Sequence, residues 1–264
     1  MTDELRTAST VCLVRDTDEG LEVLMVRRTP SARFMGGAWV FPGGAVDESD
    51  GADLALAAVV SDDDELLAWR AAALRELVEE TGIWIREQGT ISQQDRDAGE
   101  HVFRAATRGN RLDGNALRYF ANWITPARLP VRFDTRFFAA IVPYGIDPWI
   151  DGDELVDWAW VRPSTALDRS HEGSWVVAFP TRKTLEWIDR FATATEITTH
   201  VDRGDPIPAV QPRLSVGDGR LEILVPGDEG FEEAAEGEQD PNLLVRVMEI
   251  IAAGGDVPAE FKSS

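Results

Sequence analysis

The order of apolar runs and turn signals predicts an α+β sandwich with a carboxy-terminal elaboration. Two observations carry this prediction. Extended, β-branched runs occur both before and after one strongly patterned helix, and they do not alternate strictly with helices as a parallel doubly wound sheet requires. The chain has 264 residues with 44% apolar and 28% charged side chains, an ordinary globular composition for one large domain. A chain of this length buries about 70–75% of its unfolded surface, and nine Trp and eleven Phe supply bulk for that core.

Ser9 to Arg15 and Leu21 to Arg28 are separated by Asp16-Thr17-Asp18-Glu19-Gly20 and read as a hairpin. Ala38 to Phe41 is a short strand that stops at the turn signal Pro42-Gly43-Gly44. Small residues from Gly51 to Val60 lead to Ser61-Asp62-Asp63-Asp64, which offers an N-cap and negative charge to a following helix. That helix spans about Glu65 to Thr81. Leu66, Trp69 (or Arg70), Ala73 and Leu77 recur at three- and four-residue steps, and Gly82 supplies the C′ residue. Ile83-Trp84-Ile85 resumes strand character, and Gln93 to Thr107 reads as a polar helix. Strands are expected near Phe120 to Ile124, Thr135 to Val142 and Val156 to Val161, with a helix from Pro180 to Phe191. Arg213 to Val216 and Leu221 to Val225 flank Gly217-Asp218-Gly219-Arg220, a second hairpin signal. Gly227 to Asp240, rich in Gly and Glu, reads as an exposed acidic loop. These signals divide the chain into a main domain over 1–194 and an elaboration over 195–264 packed on or beside it.

Charge and sparse residue types narrow the function. Lys and Arg total 26 against 47 Asp and Glu, for a net charge of −21, which disfavours non-specific nucleic-acid binding. Cys12 is the only cysteine, so an internal disulfide and a cysteine metal site are excluded; within Thr10 to Val14 it reads as a buried structural thiol. His101, His171 and His200 lack zinc-site spacing. The apolar runs Leu54 to Val60 and Phe137 to Val142 fall short of the roughly 18–20 residues of a membrane span. The first residues show no signal pattern and the last no targeting tripeptide, so a reducing cytoplasm is the expected location.

The chemistry concentrates in Arg75-Glu76-Leu77-Val78-Glu79-Glu80-Thr81-Gly82-Ile83. Glu76, Glu79 and Glu80 stand at i, i+3 and i+4, on one side of the helix and opposite the leucine stripe. As a bare solvated face this is costly. The Glu76/Glu80 like-charge pair costs about 0.2–0.5 kcal/mol, and each anion in the last turn opposes the helix dipole by about 0.3–1 kcal/mol. Arg75 relieves part of this through Glu79, whereas a divalent cation between the carboxylates removes it. Hard oxygen donors without His or Cys point to Mg²⁺ or Mn²⁺.

Gly44 followed by Arg75-Glu76-Leu77-x-Glu79-Glu80-x-Gly82-Ile83 resembles the Nudix box, G-x5-E-x7-R-E-U-x-E-E-x-G-U, with U a bulky aliphatic. The second half matches at every specified position, and the resemblance covers roughly Thr10 to Phe191. It implies a Nudix-like α/β/α sandwich with a mixed sheet. The first half departs from the pattern. The box places Gly and Arg fourteen apart, but here 75 − 44 = 31, so about seventeen residues are inserted, at about 45–64. Asp50 stands six after Gly44 and Leu67 eight before Arg75, which leaves the first glutamate missing or displaced into Asp62 to Glu65. An inserted box is similar to the mammalian peroxisomal coenzyme A diphosphatase branch.

Leu24 to Gly44 also resembles the coenzyme A signature L-L-T-x-R-S-x3-R-x3-G-x3-F-P-G-G. Arg28, Arg33, Gly37 and Phe41-Pro42-Gly43-Gly44 keep its spacing, while Val26 and Thr29 depart from it. Arg28 and Arg33 would give charge-assisted hydrogen bonds to phosphates. Arg132 to Phe138 is a further segment similar to this branch. Family members often add an acid six residues before a Trp that opens a short strand followed by a helix. Glu154, six before Trp160, matches, with Asp151 and Asp153 close by.

The resemblance implies a Mg²⁺-dependent pyrophosphohydrolase acting on a small nucleotide-linked pyrophosphate, with coenzyme A or an acyl-CoA preferred. Glu79 and Glu80 would be metal ligands, joined by Glu76 and the Gly43 carbonyl. Glu76 or Glu154 would orient or deprotonate the water, and Arg75 would hold the glutamates. The competing readings are an ADP-ribose or NADH pyrophosphatase, a non-catalytic Nudix-fold binding module, and an acidic interaction protein using Gly227 to Asp240. Family members often dimerise, and a tryptophan-rich surface could serve a homodimer.

Overall fold

The structure, a computed structural model, describes residues 5–32, 35–93, 101–127, 131–150, 152–217 and 220–234. In chain order the first elements are β1 (Leu5–Thr17), β2 (Gly20–Arg28), β3 (Trp39–Val40), β4 (Gly43–Ala45), a 3₁₀ turn (Glu48–Gly51), α1 (Asp53–Ala58), β5 (Val59–Val60) and α2 (Leu67–Thr81). Next come β6 (Ile83–Arg86), β7 (Thr90–Gln93), α3 (Val102–Thr107), β8 (Leu112–Asp113), β9 (Arg118–Ile124), β10 (Arg132–Ile141) and β11 (Leu155–Val161). The last are α4 (Pro163–His171), α5 (Phe179–Ile188), α6 (Ala194–Val201), β12 (Ala209–Val210), β13 (Arg213–Gly217) and β14 (Arg220–Leu224).

A mixed sheet in the order β11-β2-β1-β10-β9-β12 forms the centre, with β3 on β2 and β4 on β1. β1 runs parallel to β10 and β12 parallel to β9, and the other pairs along that order are antiparallel. Strand alternation splits the core in two. Val11, Leu13, Leu24, Val26, Phe138 and Ala140 face α2, α1, α3 and the small sheet β5-β8-β6-β7. Cys12, Val14, Val23, Met25, Phe137 and Ala139 face α4, α5 and α6. Cys12 is fully buried, and burial pushes its thiol pKa up, as suits a structural cysteine. The result is the α/β/α sandwich with a mixed sheet that the sequence predicts.

Several elements differ from their sequence signals. α2 begins at Leu67, and the Asp63 carboxylate accepts from the backbone N–H groups of Glu65 and Leu66 just ahead of it. The stretch Gly51 to Val60, read only as small residues, folds into the last residue of the 3₁₀ turn, α1 and β5. Only the last part of the helix expected over 93–107 is helical among the described residues, because residues 94–100 lie outside them. α1, α3 and α6 are too short for a 3.6-residue period to stand out. The expected hairpin forms as β13 and β14. The described part of the acidic loop is not wholly exposed, since Phe231 and Ala234 are buried. The tryptophans do not form a surface either: among all nine, only Trp149 is exposed. Trp39 stacks on Trp175 at 3.9 Å between centroids, and Trp187 stacks on Phe120. No helix among the described residues is long and apolar enough to cross a membrane.

Candidate active site

Arg75 is the organising cation. It lies in the buried middle of α2, and all five of its N–H groups find acceptors. Nε and Nη2 form a bidentate pair with Asp50, at 2.8 and 2.9 Å. Nη1 bonds Glu76 at 2.9 Å and Glu79 at 3.0 Å, and Nη2 also bonds the Ala45 carbonyl. Burial alone would lower the Arg75 pKa. The bond to Asp50 and the charges of Glu76, Asp50 and Glu79 outweigh it, so the pKa is raised.

Asp50 corrects the sequence reading. The acid of the first half is not displaced into Asp62 to Glu65. It is Asp50, six residues after Gly44, fully buried against Arg75. Its own backbone bonds come from the 3₁₀ turn, where the Asp50 carboxylate accepts from the Asp47 N–H. The spacing to Gly44 was the signal; the 25-residue separation from Arg75 hid the pairing.

The carboxylates do not lie on the side opposite the leucine stripe, where the sequence reading placed them. Glu76 and Glu80 turn toward β4, and Trp69, two turns earlier, shares their side of the helix. Glu80 accepts from the Gly43 N–H at 2.9 Å. The Glu76 carboxylate rests so closely on Gly44 that a Cβ there would overlap it. Gly43 is confined likewise, with a Cβ meeting the Ser9 carbonyl and Thr10. Gly44 therefore lets the β4 backbone approach Glu76, and Gly43 lets it lie close on β1. Two residues after Glu80, Gly82 takes a left-handed φ of 67° and its N–H closes the helix on the Val78 carbonyl.

Burial and mutual repulsion disfavour the charged forms of two of the acids. Burial raises the Glu76 pKa; Arg75 opposes this and Glu79 and Glu154 add to it. Burial and the Glu76 charge push Glu80 from 4.5 up to about 8, against the pull of the Gly43 N–H and Arg28. Glu154 raises both glutamates and so stands at the same site. Its carbonyl accepts from the Thr29 N–H, which ties the start of β11 to the end of β2. Arg28 reaches Glu80 electrostatically, and its buried Nε has no hydrogen-bond partner among the described residues. Arg33 and Asp151 lie outside the described residues.

Among the described residues, no three Asp, Glu, His or Cys side chains stand together as a formed metal cage. Arg75 holds Glu76 and Glu79, and Gly43 holds Glu80. The donor set nonetheless suits a hard divalent cation. Three carboxylates at i, i+3 and i+4 have Cβ atoms about 5–6 Å apart, and burial, with repulsion from neighbouring acids, raises the pKa of Glu76 and Glu80.

Two outcomes test this geometry. Asp50→Ala removes the bidentate partner of the buried Arg75 and leaves its Nε and one Nη2 donor without an acceptor, and should cost about 3–5 kcal/mol in urea unfolding; a loss below about 0.5 kcal/mol would contradict the pairing. Glu80 binds a proton in the folded state up to about pH 8, whereas the unfolded chain releases it near 4.5. Its contribution to stability is therefore full below 4.5 and is lost as pH rises through 8. In EDTA, Glu80→Gln should match the parent near pH 5 and exceed it by roughly 1–3 kcal/mol near pH 8.5. A pH-independent difference would contradict a strained Glu80.

Comparison with known proteins agrees with the site. The NUDIX domain profile matches residues 5–179. A Caenorhabditis elegans protein named, provisionally, nudix hydrolase 7 is 27% identical over 238 residues, spanning 86% of this chain and 75% of its own. The crystal structure of a NUDIX hydrolase from Alicyclobacillus acidocaldarius is 31% identical with a TM-score of 0.66, covering 75% of this chain and 97% of that one. The family is typically dependent on divalent metals. With a matching profile over most of its length, a matching fold and the Arg75-centred carboxylates in place, the chain belongs to the Nudix family and is a pyrophosphohydrolase.

Proposed function

We propose that the chain hydrolyses the phosphoanhydride of a nucleoside diphosphate linked to a second group, and that coenzyme A or an acyl-CoA is the preferred substrate. The products would be 3′,5′-ADP and phosphopantetheine or its acyl form. The observation that carries the hydrolytic reading is the half-buried trio Glu76, Glu79 and Glu80, held by Arg75 and the Gly43-Gly44 backbone. A cluster of that kind serves no evident purpose in a binding module that has lost catalysis.

Glu76, Glu79 and Glu80, with the Gly43 carbonyl, would hold Mg²⁺ or Mn²⁺. When bound, the metal neutralises charge on the phosphate oxygens and acidifies a water. The protein's own groups do the rest. Arg75 keeps the glutamates from separating as their charges rise. Glu76 or Glu154 accepts a proton from the attacking water. That water forms a new P–O bond while the anhydride P–O bond breaks, and the second phosphate leaves with the bridging oxygen. Because the carboxylates are coupled, the pH–rate profile belongs to the cluster as a whole.

The coenzyme A preference rests on Leu24 to Gly44 and on the Arg28 Nε, buried without a partner beside the acidic cluster and suited to a phosphate oxygen. The second reading is an ADP-ribose or NADH pyrophosphatase, which would use the same acids. The lone buried thiol suits a reducing cytoplasm.

A panel of CoA, ADP-ribose, NADH and dNTPs with Mg²⁺, with both products identified, tests the assignment. CoA should show the highest kcat/KM, and its ranking last would remove the preference. Glu79→Gln and Glu80→Gln should lower kcat by more than the 10–100-fold that loss of an outer-shell metal partner costs, and near-parental rates would remove the metal assignment. Arg28→Ala should raise KM roughly tenfold or more, as loss of a charge-assisted hydrogen bond does.

A further inference from the structure

A second group of polar atoms lies between α2 and the sheet, beyond the carboxylates. Ser9 Oγ, Trp69 Nε1, Asn122 Oδ1, Asp134 Oδ1 and Arg136 Nε are all buried without a hydrogen-bond partner among the described residues. The strand register sets three of them in line with the site. Gly44 pairs with Ser9, Ser9 with Arg136, and Arg136 with Asn122. Residues directly opposite in a sheet share a face, and this face is the α2 side, since Val11 and Phe138 lie two positions along on it. The Arg136 guanidinium lies 3.6 Å over the Trp69 ring and 5.9 Å from that of Tyr119. Burial raises the Tyr119 pKa, with Arg136 opposing and Asp134 adding, which places Asp134 in the same group.

A buried polar group left unpaired costs about 1–3 kcal/mol, and native proteins carry few of them. Five in one row call for a partner. Trp69, Tyr119, Asp134 and Arg136 are half-buried, so the row opens to solvent. Two independent measures give its distance from the acids. Arg136 is two strand spacings from Gly44, about 10 Å, and Trp69 is two helical turns from Glu76, again about 10 Å. A nucleoside joined to a phosphate spans a similar length. The row presents acceptors on Asn122 and Asp134, donors on Trp69 and Arg136, and flat π surfaces.

Resting on the reading of this chain as a hydrolase of nucleotide-linked anhydrides, we propose that the row is the subsite for the nucleobase. The base carries an exocyclic amine, as adenine does. The amine donates to Asn122 or Asp134, ring nitrogens accept from Arg136 or Trp69, and the ring lies along the Arg136 guanidinium. A row that merely holds water would be indifferent to the base.

Asn122→Leu separates a binding role from a structural one, because removing an unpaired buried acceptor should leave the melting temperature equal or higher. Binding of adenosine in EDTA, followed by ligand-observed NMR, should weaken about tenfold in this variant. KM for the best nucleotide substrate should rise about as much, with kcat within about twofold. Arg136→Gln should act in the same direction. If Asn122→Leu leaves adenosine affinity and KM unchanged while the chain hydrolyses nucleotide pyrophosphates, the subsite is overturned and the hydrolase stands. If the chain hydrolyses none of them yet binds adenosine in an Asn122-dependent way, the subsite stands and the hydrolase reading falls.

Discussion

The bidentate pair between Arg75 and Asp50 places a cation inside a strongly acidic chain, and the geometry of the site follows from it. A buried guanidinium must satisfy five donors, and here Asp50, Ala45, Glu76 and Glu79 satisfy them. Asp50 takes two donors and fixes the guanidinium plane. Nη1 is thereby aimed at Glu76 and Glu79, one turn apart on the same helix. The same pair ties the 3₁₀ turn after β4 to α2, so the backbone that supports Glu80 through Gly43 cannot drift from the helix that carries it.

Around this centre the fold divides its labour between the two faces of the sheet. The face toward α4, α5 and α6 is packed with apolar and aromatic side chains, and stacked rings stiffen its edge. The face toward α2 carries the acids near β4 and a polar row toward β9. Keeping Glu76 and Glu80 in a half-closed cleft costs stability, visible in their raised pKa values, and the fully packed middle of α2 offsets that cost. The glycines at 43 and 44 serve the same end, since a side chain at 44 would push Glu76 away and one at 43 would push β4 off Ser9 and Thr10 of β1.

Much of this was legible in the sequence where the relevant interaction is local. The i, i+3, i+4 glutamates, the helix stop at Gly82 and the hairpins depend on neighbours within a few residues, and they could be read directly. Glu154 was legible through its spacing to Trp160, and its electrostatic coupling to Glu76 and Glu80 places it beside them. Asp50 was visible as a residue but not as a partner, because the intervening turn, helix and strand fold back on themselves before α2 begins. The direction of the glutamates was misjudged for a similar reason. A helical wheel shows which side chains share a side, not that β4 will cover that side. Arg136 stood out within Arg132 to Phe138, but its alignment with Ser9 and Asn122 did not, since that exists only through the pairing of β1 with β10 and β10 with β9, and no local pattern marks that register.

The central claim is that Arg75 and the β4 glycines hold the three glutamates as a site completed by a divalent cation. It is tested most directly by titrating Mn²⁺ into the metal-free chain at pH 7, by calorimetry in two buffers of different ionisation enthalpy. Glu80, with a pKa of about 8, is then largely protonated. A cation that takes its carboxylate must displace that proton, so binding should release on the order of one proton per site. Saturable binding with proton release, both lost in Glu80→Gln, is the expected result. Absence of binding, or binding that moves no protons and survives that substitution, would contradict the account.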